Sequence, residues 1–182
     1  MFFAFVGALV FPSEYFQEVS GDSPVAAGLR VAVLGVAFGI AAPLSGRLTG
    51  RIGPRWPMIA GLVAAGLAML GLTRLGAHTG FGAIWWDFAV AGAGVGFCLT
   101  PMTQIAVSAV TPARAGMASA VHNSFRQFGQ VLGVAVLGAI IAARGPLTGL
   151  HAAMLVSGAA MLGAAALAAA VMRVGRPAKA VV

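Results

Sequence analysis

The sequence predicts an all-α integral membrane protein: a half-bundle of six transmembrane helices built as two three-helix repeats, followed by a short basic tail. Three observations carry that expectation. The first is composition: of 182 residues 60% are hydrophobic, 8% are charged and 26 are glycine. Soluble domains carry about 25% charged residues, so this chain lacks the polar surface a water-soluble globule needs, and its hydrophobicity excludes disorder. The second is spacing, because 182 residues leave about 30 for each of six spans with its connection, where about 20 cross a bilayer. The third is the uneven distribution of polar side chains, which leaves the third and sixth apolar runs nearly bare. Bare spans that fall three apart match a pair of three-helix repeats.

Each span is bounded by a turn signal, and in lipid each must be a helix, since its backbone groups find no water. Span 1, residues 2–19, carries Glu14, Tyr15 and Gln17, with Pro12 freeing a carbonyl one turn before. It closes at Ser20-Gly21-Asp22-Ser23-Pro24. Span 2, residues 28–46, runs into a connection holding Arg47, Arg51, Gly53, Pro54 and Arg55. Span 3, residues 57–75, has no polar side chain from Ile59 to Leu72 and ends in the turn from Gly76 to Gly82. Span 4, residues 84–106, opens on Trp85 and Trp86, an interfacial aromatic belt, and later carries Thr100, Thr103 and Gln104. Thr111-Pro112 reads as an N-cap and first helical position for span 5, residues 117–142. Span 6, residues 151–172, offers only His151 at its edge and Ser157; residues 173–182 form the basic tail. Arg51-x-Gly53-Pro54 before span 3 and Arg144-Gly145-Pro146 before span 6 echo each other. The bare spans are free to face lipid, while the polar ones must face protein or a wet cavity.

The positive-inside rule sets the orientation. Arg47, Arg51, Arg55, Arg114, Arg173, Arg176 and Lys179 fall on one side, and Arg30, Arg74 and Arg144 on the other, together with the acids Glu14, Glu18, Asp22 and Asp87. Both termini are therefore expected in the cytoplasm, in a multi-pass protein of the cell membrane. The N-terminus has no basic leader and does not read as a signal peptide. The basic residues form no solvated patch with interleaved aromatics, so no nucleic acid is expected as partner. A single cysteine, Cys98, permits no intrachain disulfide or thiolate cluster, and His78, His122 and His151 match no metal-ligand spacing. No HExxH, nucleophile elbow or intramembrane Asp pair is present, so no enzyme and no metal site are expected.

Span 5 is the most informative stretch. At 100° per residue Ser119, His122, Asn123, Arg126 and Gln130 share a sector of about 100°, with Gln127 beside it and Phe125, Phe128 and Leu132 opposite. Arg126 lies about 21 Å along the helix from Pro112, near mid-membrane, where a charge costs roughly 2.5–3.5 kcal/mol. Two readings account for it: the polar wall of a substrate or proton path, or a buried polar knot locking two helices. Glu14 likewise reads as a proton-exchanging carboxylate in low dielectric or as an interfacial acid snorkelling to water with Glu18. Asp87, beside two tryptophans, reads as interfacial. The pairs Gly35/Gly39, Gly92/Gly96 and Gly129/Gly133 are small-xxx-small spacings for close helix packing, and Gly92, Gly94 and Gly96 follow no strand, which excludes a nucleotide loop. The scattered methionines read as filler of the core or of the lipid-facing surface.

Two stretches carry a family resemblance. Gly46-Arg47-Leu48-Thr49-Gly50-Arg51-Ile52-Gly53-Pro54-Arg55 resembles the signature loop of the major facilitator superfamily at Gly46, Leu48, Arg51, Gly53 and Arg55, with Gly50 where the family has an acid and Pro54 where it has a base. The run from Ala115 to Gly129, through Ser119, Asn123, Arg126 and Gln127, resembles the fourteen-span multidrug–proton antiporter branch, as do Tyr15-Phe16-Gln17 and Ser23-Pro24-x-x-Ala27-Gly28-Leu29. The resemblance covers the chain as a C-terminal six-helix half. It implies proton-driven efflux of cations, drugs or other small organic molecules, with no cofactor beyond the proton gradient. The implied partners are the lipid bilayer, a small-molecule substrate, and a missing N-terminal half or a second copy of the chain. A fragment that only packs against another membrane protein is the alternative. Arg126, Asn123, Gln127, His122, Gln130, Glu14 and Gln104 are the candidate path residues, and Gly46, Arg51, Gly53 and Arg55 the candidate gating loop.

Overall fold

In the computed structural model, which describes residues 1–19, 21–76 and 81–172, the six apolar runs are six α-helices. They are α1 (Phe2–Glu18), α2 (Pro24–Ile52), α3 (Arg55–Gly71), α4 (Trp85–Ser108), α5 (Ala115–Arg144) and α6 (Pro146–Val171). Short 3₁₀ turns lie at Leu72–Arg74, Phe81–Ala83 and Pro112–Arg114. The predicted basic tail, with Arg173, Arg176 and Lys179, lies outside the described residues, as do Ser20 and His78. Five of the helical segments are long and apolar enough to cross a membrane. The 17 residues of α1 rise about 25 Å, a little short of a hydrocarbon core of about 30 Å.

Helix ends depart from expectation where capping chemistry was under-read. Ser23 Oγ accepts the Ala26 amide at 3.3 Å, and Pro24 sits at the first position, so α2 starts four residues ahead of Gly28. The same helix continues to Ile52, since nothing between Leu44 and Ile52 breaks it. Gly46, Arg47 and Arg51, predicted in a connecting loop, are therefore helical; only Gly53 and Pro54 make the connection, and Arg55 opens α3. Arg51 in the last turn suits the carbonyl-rich end. Thr111 caps nothing, and Pro112 opens a 3₁₀ turn instead of α5. Helix α6 begins at Pro146, which places His151 inside it, its ring donating to the Leu75 carbonyl beyond α3.

The two-repeat expectation holds in the packing. Exchanging α1 with α4, α2 with α5 and α3 with α6 carries the set of packed helix pairs onto itself: α2/α4 onto α1/α5, α3/α4 onto α1/α6, α2/α3 onto α5/α6. The echoing turns adopt one conformation. Gly53 has φ 81 and ψ 168, Gly145 φ 83 and ψ 167, and each amide donates to the carbonyl four residues back at 2.9 Å. That left-handed φ is open to glycine without strain, and the prolines that follow start the next helices.

Close approach of backbones sets the bundle. Gly92 and Gly96 of α4 lie on the carbonyls of Leu34 and Phe38 in α2, and a Cβ at Gly96 would stand 2.8 Å from the latter. Gly94 points the other way, where a Cβ would meet Gly61 O at 2.6 Å and Ala65 N at 2.7 Å in α3. Gly133 of α5 seats against the Phe3 carbonyl of α1. Gly35 and Gly39, read as a third packing pair, face open space. Hydroxyls add cross-links: Ser45 donates to Phe97 O at 2.7 Å and Thr100 to Ala42 O at 3.2 Å, both between α2 and α4. At one end Phe16, Phe88, Leu34, Leu72, Leu75 and Met154 fill the main core.

The burial order corrects the sequence reading. Half of the apolar segment of α3 is buried (50%), against 28% in the other bare helix, α6, 22% in α2 and 11% in α5, so of these α3 is the most enclosed and polar α5 the least covered. Lipid tails give helices no hydrophobic reason to associate, and small residues that allow close contact decide which helices pack. Gly94→Ala should destabilise the bundle, since its Cβ meets fixed backbone and overpacking costs about 1–3 kcal/mol. Gly35→Ala should leave stability unchanged or slightly higher. Thermal unfolding in detergent, followed by a thiol dye on the buried Cys98, separates the two; equal midpoints would overturn the α3/α4 contact.

Candidate functional site

Helix α5 is anchored along its second half, where Gly133 and Leu137 are buried, and its first turns stand apart from the bundle. Its polar sector therefore borders the start of α1 and the middle of α4. There His122 and Arg126, one turn apart, line a cavity of about 190 Å³ with Phe2, Phe3, Met102 and Phe125. The Arg126 guanidinium carbon stands 5.3 Å from the centre of the Phe2 ring, within cation–π range. Arg126 Nε and His122 Nε2 are buried and have no hydrogen-bond partner. In a low dielectric such groups are costly unless something binds them.

A second cavity of about 400 Å³ adjoins the first, lined by Ala106, Val110, Met117, Ala118, Val121, His122 and Phe125. His122 and Phe125 line both, so the two hollows adjoin, the second lying toward Val110 and the loop that carries Arg114. Phe125 lines them although the sequence reading placed it opposite the polar sector: His122 and Phe125 are about 60° apart on a helical wheel, so the polar and aromatic sectors overlap at this edge. Phe2, Phe3 and Met102 come from other helices and carry no signal in the sequence of span 5.

The other candidates separate. Asn123 is half-buried on the same helix, and Gln127 is exposed. Gln130 lines a different hollow of about 550 Å³ with Val6, Val131, Val134 and Ala135. Gln104 lies in a hollow of about 770 Å³ with Pro54, Leu99, Thr100, Thr103 and Ser108, bordered by the α2–α3 turn. Gly46 packs beside Thr100 at 3.5 Å for its notional Cβ, and Arg55 stacks over Trp56 at 5.4 Å. Of the candidate gating loop only the neighbouring Pro54 lines the Gln104 hollow, and Arg51 is exposed. Glu14 is exposed on α1. At the same end Asp22 and Arg30 pair at 2.8 Å, and Arg30 also lies 5.0 Å over Phe16 and 5.7 Å over Phe81. Asp87 packs its carboxylate against Gly71. Among the described residues no group of three His, Cys, Asp or Glu side chains could hold a metal ion.

Six apolar helices with an internal two-fold, and with Arg126 and His122 lining a hollow on one wall, define the half-bundle of a helical membrane transporter fold. The description of the Major Facilitator Superfamily matches residues 1–182. The chain belongs to that superfamily and is a multi-pass membrane protein. It is 40% identical over 145 residues to the multidrug resistance protein Stp of Mycobacterium tuberculosis, covering 79% of this chain and 26% of that protein. The tetracenomycin C resistance and export protein of Streptomyces glaucescens is 34% identical over 79% of this chain and 27% of its own length. The drug efflux pump JefA of M. tuberculosis is 36% identical over 76% of the chain and 27% of its own length. The chain thus spans about a quarter of the length of these curated relatives.

A wet hollow and a lipid-facing surface differ in reactivity even where exposure is similar. Phe125 is 72% and Leu155 of α6 52% exposed, but only Phe125 lines the hollows. In nanodiscs Phe125→Cys should react with a charged, water-soluble methanethiosulfonate, and Leu155→Cys should not, the buried native thiol serving as the silent background. Equally slow labelling of both would place the α5 face in lipid.

Proposed function

We propose that the chain is the C-terminal six-helix half of a drug efflux transporter of the cell membrane, with the one end of the bundle that carries Arg51, Arg55 and Arg114, and both termini, facing the cytoplasm. The observation that carries this reading is the pair of buried, unpartnered polar atoms, Arg126 Nε and His122 Nε2, lining a hollow in an apolar bundle. A knot that merely locked helices would satisfy its polar atoms within the bundle. The relatives named as multidrug resistance and efflux proteins support the same reading. In this reading the part is non-enzymatic, needs no cofactor, and works on the proton gradient, with Glu14, exposed and in no ion pair among the described residues, as the proton-exchanging candidate.

The proposal also names a partner. Helices α2 and α5, equivalent under the repeat, are the least covered, and they present Leu29, Val36 and Ile40 on one and Phe125, Phe128 and Val131 on the other. An N-terminal half covers these faces in the complete transporter; a second copy of the chain does so when the half stands alone. In the intact assembly Arg126→Ala should abolish efflux from everted vesicles while the amount of inserted protein stays near wild type. Full efflux by that variant would remove Arg126 from the path, and a sharp loss of inserted protein would favour the packing role. Single-molecule photobleaching of the isolated chain in dilute liposomes should count two copies or more; a persistent, protease-resistant monomer would mean that the six helices close by themselves.

A further inference from the structure

We infer that the cavity wall of this half selects its ligand by hydrogen-bond acceptors: it receives the carboxylate- or carbonyl-bearing aromatic end of a small organic molecule and disfavours a lipophilic cation. The inference rests on the transport reading for the place of the site, and adds the chemical class. The charged side chain facing the cavity is a cation, and no carboxylate faces it. Arg126 presents a buried Nε without a partner, a donor and a cation in every state, and His122 a buried Nε2 without a partner that donates or accepts according to its tautomer. The remaining lining is Met1, Phe2, Phe3, Met102, Phe125 and Gly129, which offers ring faces and soft apolar surface but no carboxylate.

The acids of the chain are all accounted for elsewhere. Glu14 and Glu18 are exposed on α1, Asp22 is paired with Arg30 at 2.8 Å, and Asp87 packs on Gly71. None lines this cavity or the adjoining one. A cation entering here would meet Arg126 with no counter-charge from this wall, in a low dielectric where like charges repel strongly. An acceptor-bearing ligand instead satisfies the Arg126 Nε donor, and His122 Nε2 in the tautomer that carries its proton there; a charge-assisted bond to a carboxylate is the stronger of the two options. Size agrees as well: about 150 Å³ holds a benzene ring, so a cavity of about 190 Å³ takes one aromatic ring with its acceptor group. The rest of a larger molecule would extend past Phe125 into the adjoining space of about 400 Å³. Phe2 stacks against the Arg126 guanidinium at 5.3 Å, on the same side of the cavity.

The test uses two probes with the same rings and opposite charge, 2-naphthoate and 2-naphthylmethylammonium, with binding measured by equilibrium dialysis against the chain in nanodiscs and corrected for empty nanodiscs. Naphthoate should bind about ten- to a hundredfold more tightly, the range a hydrogen bond to a charged group supplies. Arg126→Gln should remove most of that preference, and Arg126→Lys should retain part of it, which separates charge recognition from loss of fold. Equal binding of the two probes, preference for the ammonium, or a preference unchanged in Arg126→Gln would overturn the inference and leave the transport reading standing. Failure of naphthoate to bind at all would overturn the site itself, and the inference with it.

Discussion

The rest of the structure depends on how closely α4 approaches α2 and α3. Between lipid-embedded helices the hydrophobic effect contributes little, and van der Waals contact with interhelical hydrogen bonds must hold the bundle. Gly92, Gly94 and Gly96 give α4 two bare faces, one against Leu34 and Phe38 and one against Gly61 and Ala65. With the backbones in contact, the short hydroxyls of Ser45 and Thr100 reach carbonyls on the opposing helix. Any side chain larger than hydrogen at Gly94 would separate α3 from α4. It would also shift Met102, two turns further along α4, which forms one wall of the Arg126 cavity.

That packing has a consequence for polarity. Because α4 is held tightly on one side and α5 is anchored only beyond Gly129, the polar residues do not converge on a single axis. The hollow of His122 and Arg126 lies between α4, α5 and the start of α1, while Gln104 and Thr103 lie in another hollow, beside the α2–α3 turn. The two are separated by the body of α4. A mid-membrane arginine is thereby accommodated without an acid: the Phe2 ring covers one side of its guanidinium, and the cavity leaves its remaining donors available to a ligand. The acids stay at the opposite end, where Asp22 and Arg30 join α1 to α2 over an aromatic floor of Phe16 and Phe81.

The internal two-fold explains which surfaces stay open. Helices that are equivalent under the exchange of repeats meet equivalent neighbours, so α2 and α5 both occupy outer positions and both keep apolar side chains uncovered. The matching geometry of Gly53 and Gly145 extends the equivalence to the connections. A fold with this symmetry ends in two similar open edges, which is the form a half-bundle needs to meet a second half with the same architecture.

By itself the sequence determined the membrane solvent, the number of helices, the repeat and the presence of one polar helix. Each follows from local composition: an apolar run must be helical in lipid whatever surrounds it, and Gly-Pro pairs end helices by backbone geometry alone. The helical sector of His122, Asn123, Arg126 and Gln130 was legible for the same reason, because angular position on a helix depends only on spacing. Tertiary structure decided what those side chains face. It drew Phe2 and Met102 to Arg126, put Phe125 in the same hollow, separated Gln104 and Gln130 from it, and left Gly35 and Gly39 unpacked. It also made bare α3 the most enclosed of the five long apolar helices and polar α5 the least covered. Those outcomes depend on which backbones can touch, a property of pairs of helices meeting in space that no single helix carries in its own pattern.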